Sequence, residues 1–274
     1  MGIERIIEPA CEPITLEDVK ANARITGTDD DAHISEILIP AARAFVETYL
    51  QRALVAQTWE WSRWEFPECN APIVLPNPPL NHVKSITYVD DLGTTQTMAE
   101  GVDYTVNARK QPGRVYPYYE TNWPSTRIIP NSVSVQYQAG YLVPVTVNDT
   151  SDILTIMNNN RTYQNGDAVV VNALGLSGVV PAGLTANSIY YIVNATSNTV
   201  QLSLTLGGSP IALTDDGTGQ IYFGSMPPAI RQALLLLVSH SYEYREPIQP
   251  GTSMAAIPFS VEALLAPYRV QEFV

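Results

Sequence analysis

Gln138-Ala139-Gly140-Tyr141 and Met226-Pro227-Pro228-Ala229-Ile230-Arg231-Gln232-Ala233 read as two ends of one interrupted pattern. Up to about Val143 the chain mixes helical and strand-like runs with an ordinary share of charge. Between the two stretches it is rich in Asn, Thr, Gly and Val and almost free of Lys, Arg and Glu. From Met226 it turns helical again. A module set into a loop of another domain leaves this signature. The reading divides the 274 residues into a discontinuous core, 1–143 with 225–274, and an inserted β domain, 144–224.

Working outward from Tyr141, the core carries both periods. Thr15 before Leu16-Glu17-Asp18 reads as a helix N-cap with acidic residues at the positive end of the dipole. Asp30 or Asp31 then caps a longer helix. Its apolar stripe is Ile34, Ile37, Leu38, Ala41, Phe45 and Tyr49, and Pro40 in its interior predicts a kink. From Val55 the period changes to two, with Trp59, Trp61, Trp64 and Phe66 giving an aromatic strand face. Val83 to Val89 is a second strand. Asp90-Asp91-Leu92-Gly93 turns it back through Gln96 to Met98.

On the far side of the interruption, Pro227 and Pro228 suit the first turn of a helix. Ile230, Ala233, Leu234, Leu237 and Val238 follow at helical spacing. Leu235 and Leu236 make that helix apolar almost all round, so it is expected to be buried on more than one side. Tyr242 and Tyr244 extend its end. The interrupting segment itself offers five short strands: Ile153–Ile156, Ala168–Val171, Ile189–Val193, Thr199–Ser203 and Ile221–Phe223, separated by Asn-Gly, Asp-Gly and Gly-Gly turns. The expected fold class is α+β: a helical core with short β-hairpins, plus an inserted all-β sandwich or barrel-like domain.

Composition narrows function. Hydrophobic residues at 45% describe a folded chain, and charged residues are only 15%. The formal net charge is −12, and Arg109-Lys110 is the one adjacent basic pair, so the counterion release that drives tight nucleic-acid binding has no source. No catalytic, cofactor-binding or metal-ligating residues are expected. His33, His82 and His240 lack metal-ligand spacing, and Gly175-Leu176-Ser177-Gly178 lacks the last glycine of a nucleophile elbow. Asp29-Asp30-Asp31 lacks the Gly and terminal Glu of a calcium loop. Cys11 and Cys69 read as free thiols in a reducing compartment. The first residues lack a signal peptide's apolar run, and Ala233–Val238 is too short for a bilayer. The expectation is a protein made in a cytoplasm without membrane contact.

The order of several runs resembles a known family. Pro13 to Lys20, Ala41 to Glu47, Arg52 to Glu60, Leu75 to Leu80, Pro112 to Val115, Val135 to Tyr141, Pro227 to Ala233 and Val261 to Arg269 are similar to the head–tail connector (adaptor, head-completion) proteins of tailed bacteriophages. The resemblance implies a helical connector core. It also implies a structural virion protein of the neck, assembled in the host bacterial cytoplasm. Such proteins form a ring, usually of twelve copies, between the portal and the stopper or tail-completion protein, and DNA passes through without specific binding. It implies self-association, with Leu235, Leu236, Tyr242 and Tyr244 as ring-interface candidates, and portal docking through Tyr268, Val270 and Phe273. The inserted β domain departs from the family pattern. The alternative is a virion-associated binding or decoration module whose inserted domain contacts carbohydrate or another virion protein, with Tyr163, Tyr190, Tyr191 and Tyr222 as its aromatic supply.

Overall fold

A computed structural model describes residues 2–157, 163–244 and 259–271. Among these are fourteen strands and five α-helices. The fold is therefore mostly β, and the expected helical core with short hairpins is corrected. The strands that read locally as hairpin pieces are joined instead by pairings between distant parts of the chain.

The larger open sheet contains β1 (Gly2–Ile7), β2 (Gln57–Arg63), β4 (Leu80–Val89), β5 (Thr95–Met98) and β8 (Val133–Ala139) in the order β1-β2-β8-β4-β5, with antiparallel neighbours throughout. Its central strand, β8, pairs Tyr137 with Trp59 on one side and with Val83 on the other. A three-stranded sheet of β3 (Ile73–Leu75), β7 (Gly113–Pro117) and β6 (Tyr104–Asn107) accompanies it. Trp61, Ile73, Leu75, Ile86, Val115, Val135 and Tyr137 share one buried apolar cluster drawn from both sheets. Apolar side chains on the inner face of each strand drive this packing.

The helices pack chiefly on one another. α1 (Leu16–Ala23), a π-helical turn (Ile34–Leu38), α3 (Ile39–Leu50), α4 (Pro228–Glu243) and α5 (Phe259–Leu265) contribute to a second cluster that includes Val19, Ile39, Val46, Leu50, Ile230, Leu234 and Val238, and the short α2 (Asp31–His33) leads into the π turn. The π turn changes the expected stripe. Ile39 N–H bonds to Ile34 O, five residues back, and Pro40 falls at the start of α3. The extra residue absorbs the proline that would otherwise clash within an α-helix. It also advances the buried face, which becomes Ile34, Ile39, Ala42, Val46 and Leu50, and leaves Ile37 56% exposed.

The remaining strands are β9 (Val143–Asn148), β10 (Ile153–Ile156), β11 (Ala168–Ala173), β12 (Ile189–Val193), β13 (Thr199–Ser203) and β14 (Ile221–Phe223). They close into a barrel in the order β10-β13-β12-β11-β14-β9, with β9 completing the circle against β10. Leu154, Val171, Tyr190, Ile192, Leu202 and Phe223 fill it. Tyr163 meets Phe223 edge-on at 5.5 Å.

The chain enters and leaves the barrel through two glycines in the left-handed region. Gly140 has φ +147° and a Cβ there would lie 2.4 Å from the carbonyl carbon of Val55; Gly224 has φ +102° and a Cβ would lie 2.1 Å from Tyr141 O. No other residue type fits so close to a neighbouring backbone.

Candidate assembly surface

α4 is built on one buried face, Ile230, Ala233, Leu234 and Val238, with Pro228 in its first turn. That face is tied to α1 by polar contacts. Arg231 Nη2 donates to Asp18 Oδ1 at 2.8 Å, and the Asp18 side chain is 1% exposed. Asp18 also closes the capping box of α1: its Oδ2 accepts from Thr15 N–H, while Thr15 Oγ1 accepts from Asp18 N–H. Asn22 Nδ2 donates to Ser239 Oγ at 2.8 Å. Tyr242 Oη donates to Asp30 Oδ2 at 2.8 Å. Asp30 stands at the N-cap of α2, but its carboxylate makes no capping bond to the helix.

Of the ring-interface candidates, Leu235 and Leu236 are half-buried and pack partly into the helical cluster. Tyr242 is held by Asp30. Tyr244 is 50% exposed, with its ring 4.9 Å from that of His240. Leu235, Leu236 and Leu237 are each partly buried against the helical cluster and spread around α4, so the helix keeps some apolar surface outside its buried face.

The portal-docking candidates lie beyond α5, whose Val261 and Leu265 are buried. Tyr268 packs against the helical cluster, and its carbonyl accepts from Arg52 Nε. Val270 N–H donates to Leu50 O at 3.0 Å. Arg269 sits over the Tyr49 ring at 5.3 Å. Tyr268 and Val270 thus rest on the end of α3 of their own chain. Phe273 lies outside the described residues.

Two further contacts were invisible to local reading. Glu17 Oε2 accepts from Ser177 Oγ at 2.6 Å and from Ser177 N–H at 3.2 Å, joining α1 to the barrel across 160 residues of chain. The Ser177 hydroxyl, then its N–H, holds the Glu17 carboxyl below the usual glutamate range. Beside this seam, a cavity of about 480 Å³ is lined by residues that include Pro13, Leu142, Asn172, Tyr222, Met226 and Arg231. The second contact is a charged cluster. Arg43 pairs with Glu12 through Nε and Nη2 at 2.8 and 3.2 Å, and reaches Glu47 at 3.4 Å. Glu47 also accepts from Leu54 N–H and Gln57 Nε2. Burial nevertheless raises its carboxyl above the usual range. Burial likewise pushes the Cys11 thiol up to about 12, which leaves it unreactive at neutral pH.

Among the described residues no group of three His, Cys, Asp or Glu side chains could hold a metal ion. No helix among them is long and apolar enough to cross a membrane. Tyr163 and Tyr190, offered as carbohydrate platforms, are each 2% exposed in the barrel core.

A surface of apolar helix, tethered tail and docked barrel is suited to assembly. A family model described as head completion protein matches residues 12–154, just over half of the chain. The chain belongs to the head completion protein family. That family is a structural component of virions and not a family of enzymes.

Three solved structures are similar in fold to this head completion protein. The neck of an empty gene transfer agent (GTA) particle, computed with C6 symmetry, aligns with TM-score 0.56 and 15% identity over 100% of this chain and 98% of that one. The virion of a native GTA particle gives 0.54 at 16% identity, and the neck of a native GTA particle computed with C12 symmetry gives 0.53 at 16%, both over the same shares. At these identities the likeness is one of fold. None of the curated proteins matches the sequence.

Proposed function

We propose that this head completion protein is a structural component of the virion neck. It assembles as a ring between the portal and the stopper or tail-completion protein, and its centre forms part of the DNA exit channel. The observation that carries the reading is the likeness, over the whole chain, to neck components of GTA particles computed with C6 and C12 symmetry. The family match over residues 12–154 supports it independently. A net charge of −12 suits a channel that phosphate passes without sticking.

The half-exposed Leu235 and Leu236, with Tyr244 at the end of α4, form one side of the contact between copies. Tyr268, Val270 and Phe273 are the portal-facing residues, with Tyr268 and Val270 presented at the end of α3. Residues 1–143 and 225–274 act as the connector core, and 144–224 as a guest domain carried on it. Electron microscopy of the purified protein, alone and mixed with its portal, tests the reading. Closed rings are expected; a persistent monomer in both samples overturns it.

The barrel supports one further role. Ile189, Leu204 and Leu206 are 60%, 69% and 69% exposed on it, apolar points suited to contact with another virion protein. Loss of that contact in an Ile189→Ser, Leu206→Ser variant, with rings retained, is the expected signature. A variant that holds the same virion partners removes the role.

A further inference from the structure

The five-stranded sheet ends in two bare edges. β1 pairs only with β2, and Gly2 to Ile6 are all exposed; Ile3 and Ile6 are 42% and 45% exposed. At the opposite edge, Thr95, Gln96 and Thr97 of β5 are exposed, and β5 pairs only with β4. Among the described residues no backbone hydrogen bond from outside the ladders reaches Gly2–Ile7 or Thr95–Met98. An edge strand with unpaired N–H and C=O groups is a template for another strand, and proteins normally blunt such edges. Among the described residues neither edge carries a proline or a covering element; β1 bulges only at Ile6, so Gly2–Arg5 runs in regular register with the apolar Ile3 beside its free backbone.

β1 is also held in place without an outer neighbour. Arg5 Nη1 donates to Gln57 Oε1 at 3.1 Å, Arg5 Nε pairs with Glu8 at 2.9 Å, and the guanidinium lies 5.8 Å from the Trp59 ring centre. The strand is thus laid on β2 before any partner arrives, so pairing requires little further ordering.

The order of the sheet says what that partner is. Neighbours are antiparallel throughout an odd number of strands, so β1 and β5 run in the same direction. Rotation about a ring axis preserves strand direction relative to that axis. A cyclic ring also needs two different, complementary surfaces on each copy, joined head to tail. The two edges of one odd-stranded sheet meet both conditions. We infer that β1 of one copy pairs, in parallel, with β5 of the next, so that the sheet continues from subunit to subunit. The inference rests on the ring reading and adds a strand pairing to the α4 contact between copies. It is strand addition, with main-chain bonds giving affinity and Ile3 and Ile6 adding apolar contact.

Proline scanning and cross-linking of the full-length chain test it. Successive residues on a strand point their N–H groups to opposite sides, so one of Ile3→Pro and Glu4→Pro removes an outward donor and leaves the β1–β2 ladder intact. That variant keeps the wild-type circular dichroism. Its ring-forming concentration, measured by mass photometry, rises by about tenfold or more. In parallel, Glu4→Cys with Gln96→Cys, in a chain whose exposed Cys69 is Ser, yields a ladder of disulfide-linked copies; either cysteine alone yields none. Wild-type rings, unaffected by both folded proline variants and giving no ladder, overturn the edge pairing and leave the ring reading standing. Should both proline variants unfold, the ladder alone decides. Wild-type chains that form no ring with or without portal defeat the ring reading itself.

Discussion

The barrel and the five-stranded sheet are both antiparallel, yet they end differently. The barrel closes on itself, β9 against β10, and leaves no strand edge. The sheet stays open, with the outer edges of β1 and β5 unpaired among the described residues. Their means of cohesion differ too. From Tyr163 to Gly224 the chain has no Lys or Arg, and the barrel is held by its apolar filling and turn bonds. The framework around the sheet carries the ion pairs Arg5–Glu47, Lys20–Asp31, Arg43–Glu12 and Arg231–Asp18. Closure makes the barrel self-sufficient, whereas openness leaves the sheet with backbone groups to satisfy elsewhere. The proposed ring requires this division, with an open part to assemble through and a closed part to carry.

The largest expected effects break that comparison directly. Phe223→Ala in the barrel and Trp61→Ala in the sheet each empty a site that is at most 2% exposed, and each costs about 3–5 kcal/mol. Their consequences for assembly differ. Rings are expected to survive Phe223→Ala and to fail with Trp61→Ala, which mass photometry beside differential scanning calorimetry checks. Because Gly224 lies against the Tyr141 carbonyl, a short linker can replace residues 144–224. The shortened chain should still form rings. Loss of rings from it makes the barrel part of the connector's own contact.

Next in size are the crossing points. Gly140→Ala and Gly224→Ala each force a Cβ into backbone at a positive φ, at a cost of roughly 1–3 kcal/mol or more. Hydrogen exchange should show loosened protection in both the barrel and residues 54–56, with the far end of the β4–β5 hairpin, Ile86–Val89 against Thr95–Met98, unchanged. Uniform loosening would mean that the two regions unfold as one. Arg231→Ala comes next, because it strips the partner from the buried Asp18 carboxylate. It lowers stability by about 1–3 kcal/mol, and Asp18→Asn in the same chain recovers part of it. No recovery would place the loss in packing of the arginine stem.

Two glutamates give the smallest effects, with opposite signs. Glu17 is depressed by Ser177, so its contribution is present above the ordinary glutamate range and is lost as pH falls through the folded-state value. Glu47 is raised by burial, so the folded state keeps a proton that the unfolded chain has released. Stability then declines as pH rises through that interval. Melting temperatures measured from pH 3 to pH 8 on Glu17→Gln should show a shallower acid-side loss, and on Glu47→Gln a shallower decline towards neutrality. Matching profiles for the two variants would contradict these assignments.

Sequence carried the local elements well. The Asp90–Gly93 turn does return β4 into β5, Pro227 and Pro228 do open α4, and the turn-rich segment does contain β10 to β14. It missed what depends on distance. Nothing in Gly2-Ile3-Glu4-Arg5-Ile6-Ile7 announces a strand until β2 is beside it, with Trp59 beneath Arg5. Nothing in Glu17 names Ser177. The apolar stripe from Ile34 went out of step because Pro40 is absorbed by a π turn, an event that ordinary helical spacing does not encode. The balance of the fold shifted towards sheet for the same reason. Strands short enough to look like isolated hairpins acquire their partners from more than 70 residues away, as Trp61 does from Val135. The candidate surface was half legible: the leucines of α4 announced a helix with apolar residues to spare, whereas the bare edge of β1 requires the sheet to be seen.

The central claim is that the open framework, and not the closed barrel, makes this protein a ring. Electron microscopy of the full-length chain and of the chain lacking 144–224, each with its portal, tests it most directly. The account predicts closed rings of the same symmetry from both. Rings from the full-length chain alone, or from neither, would contradict it.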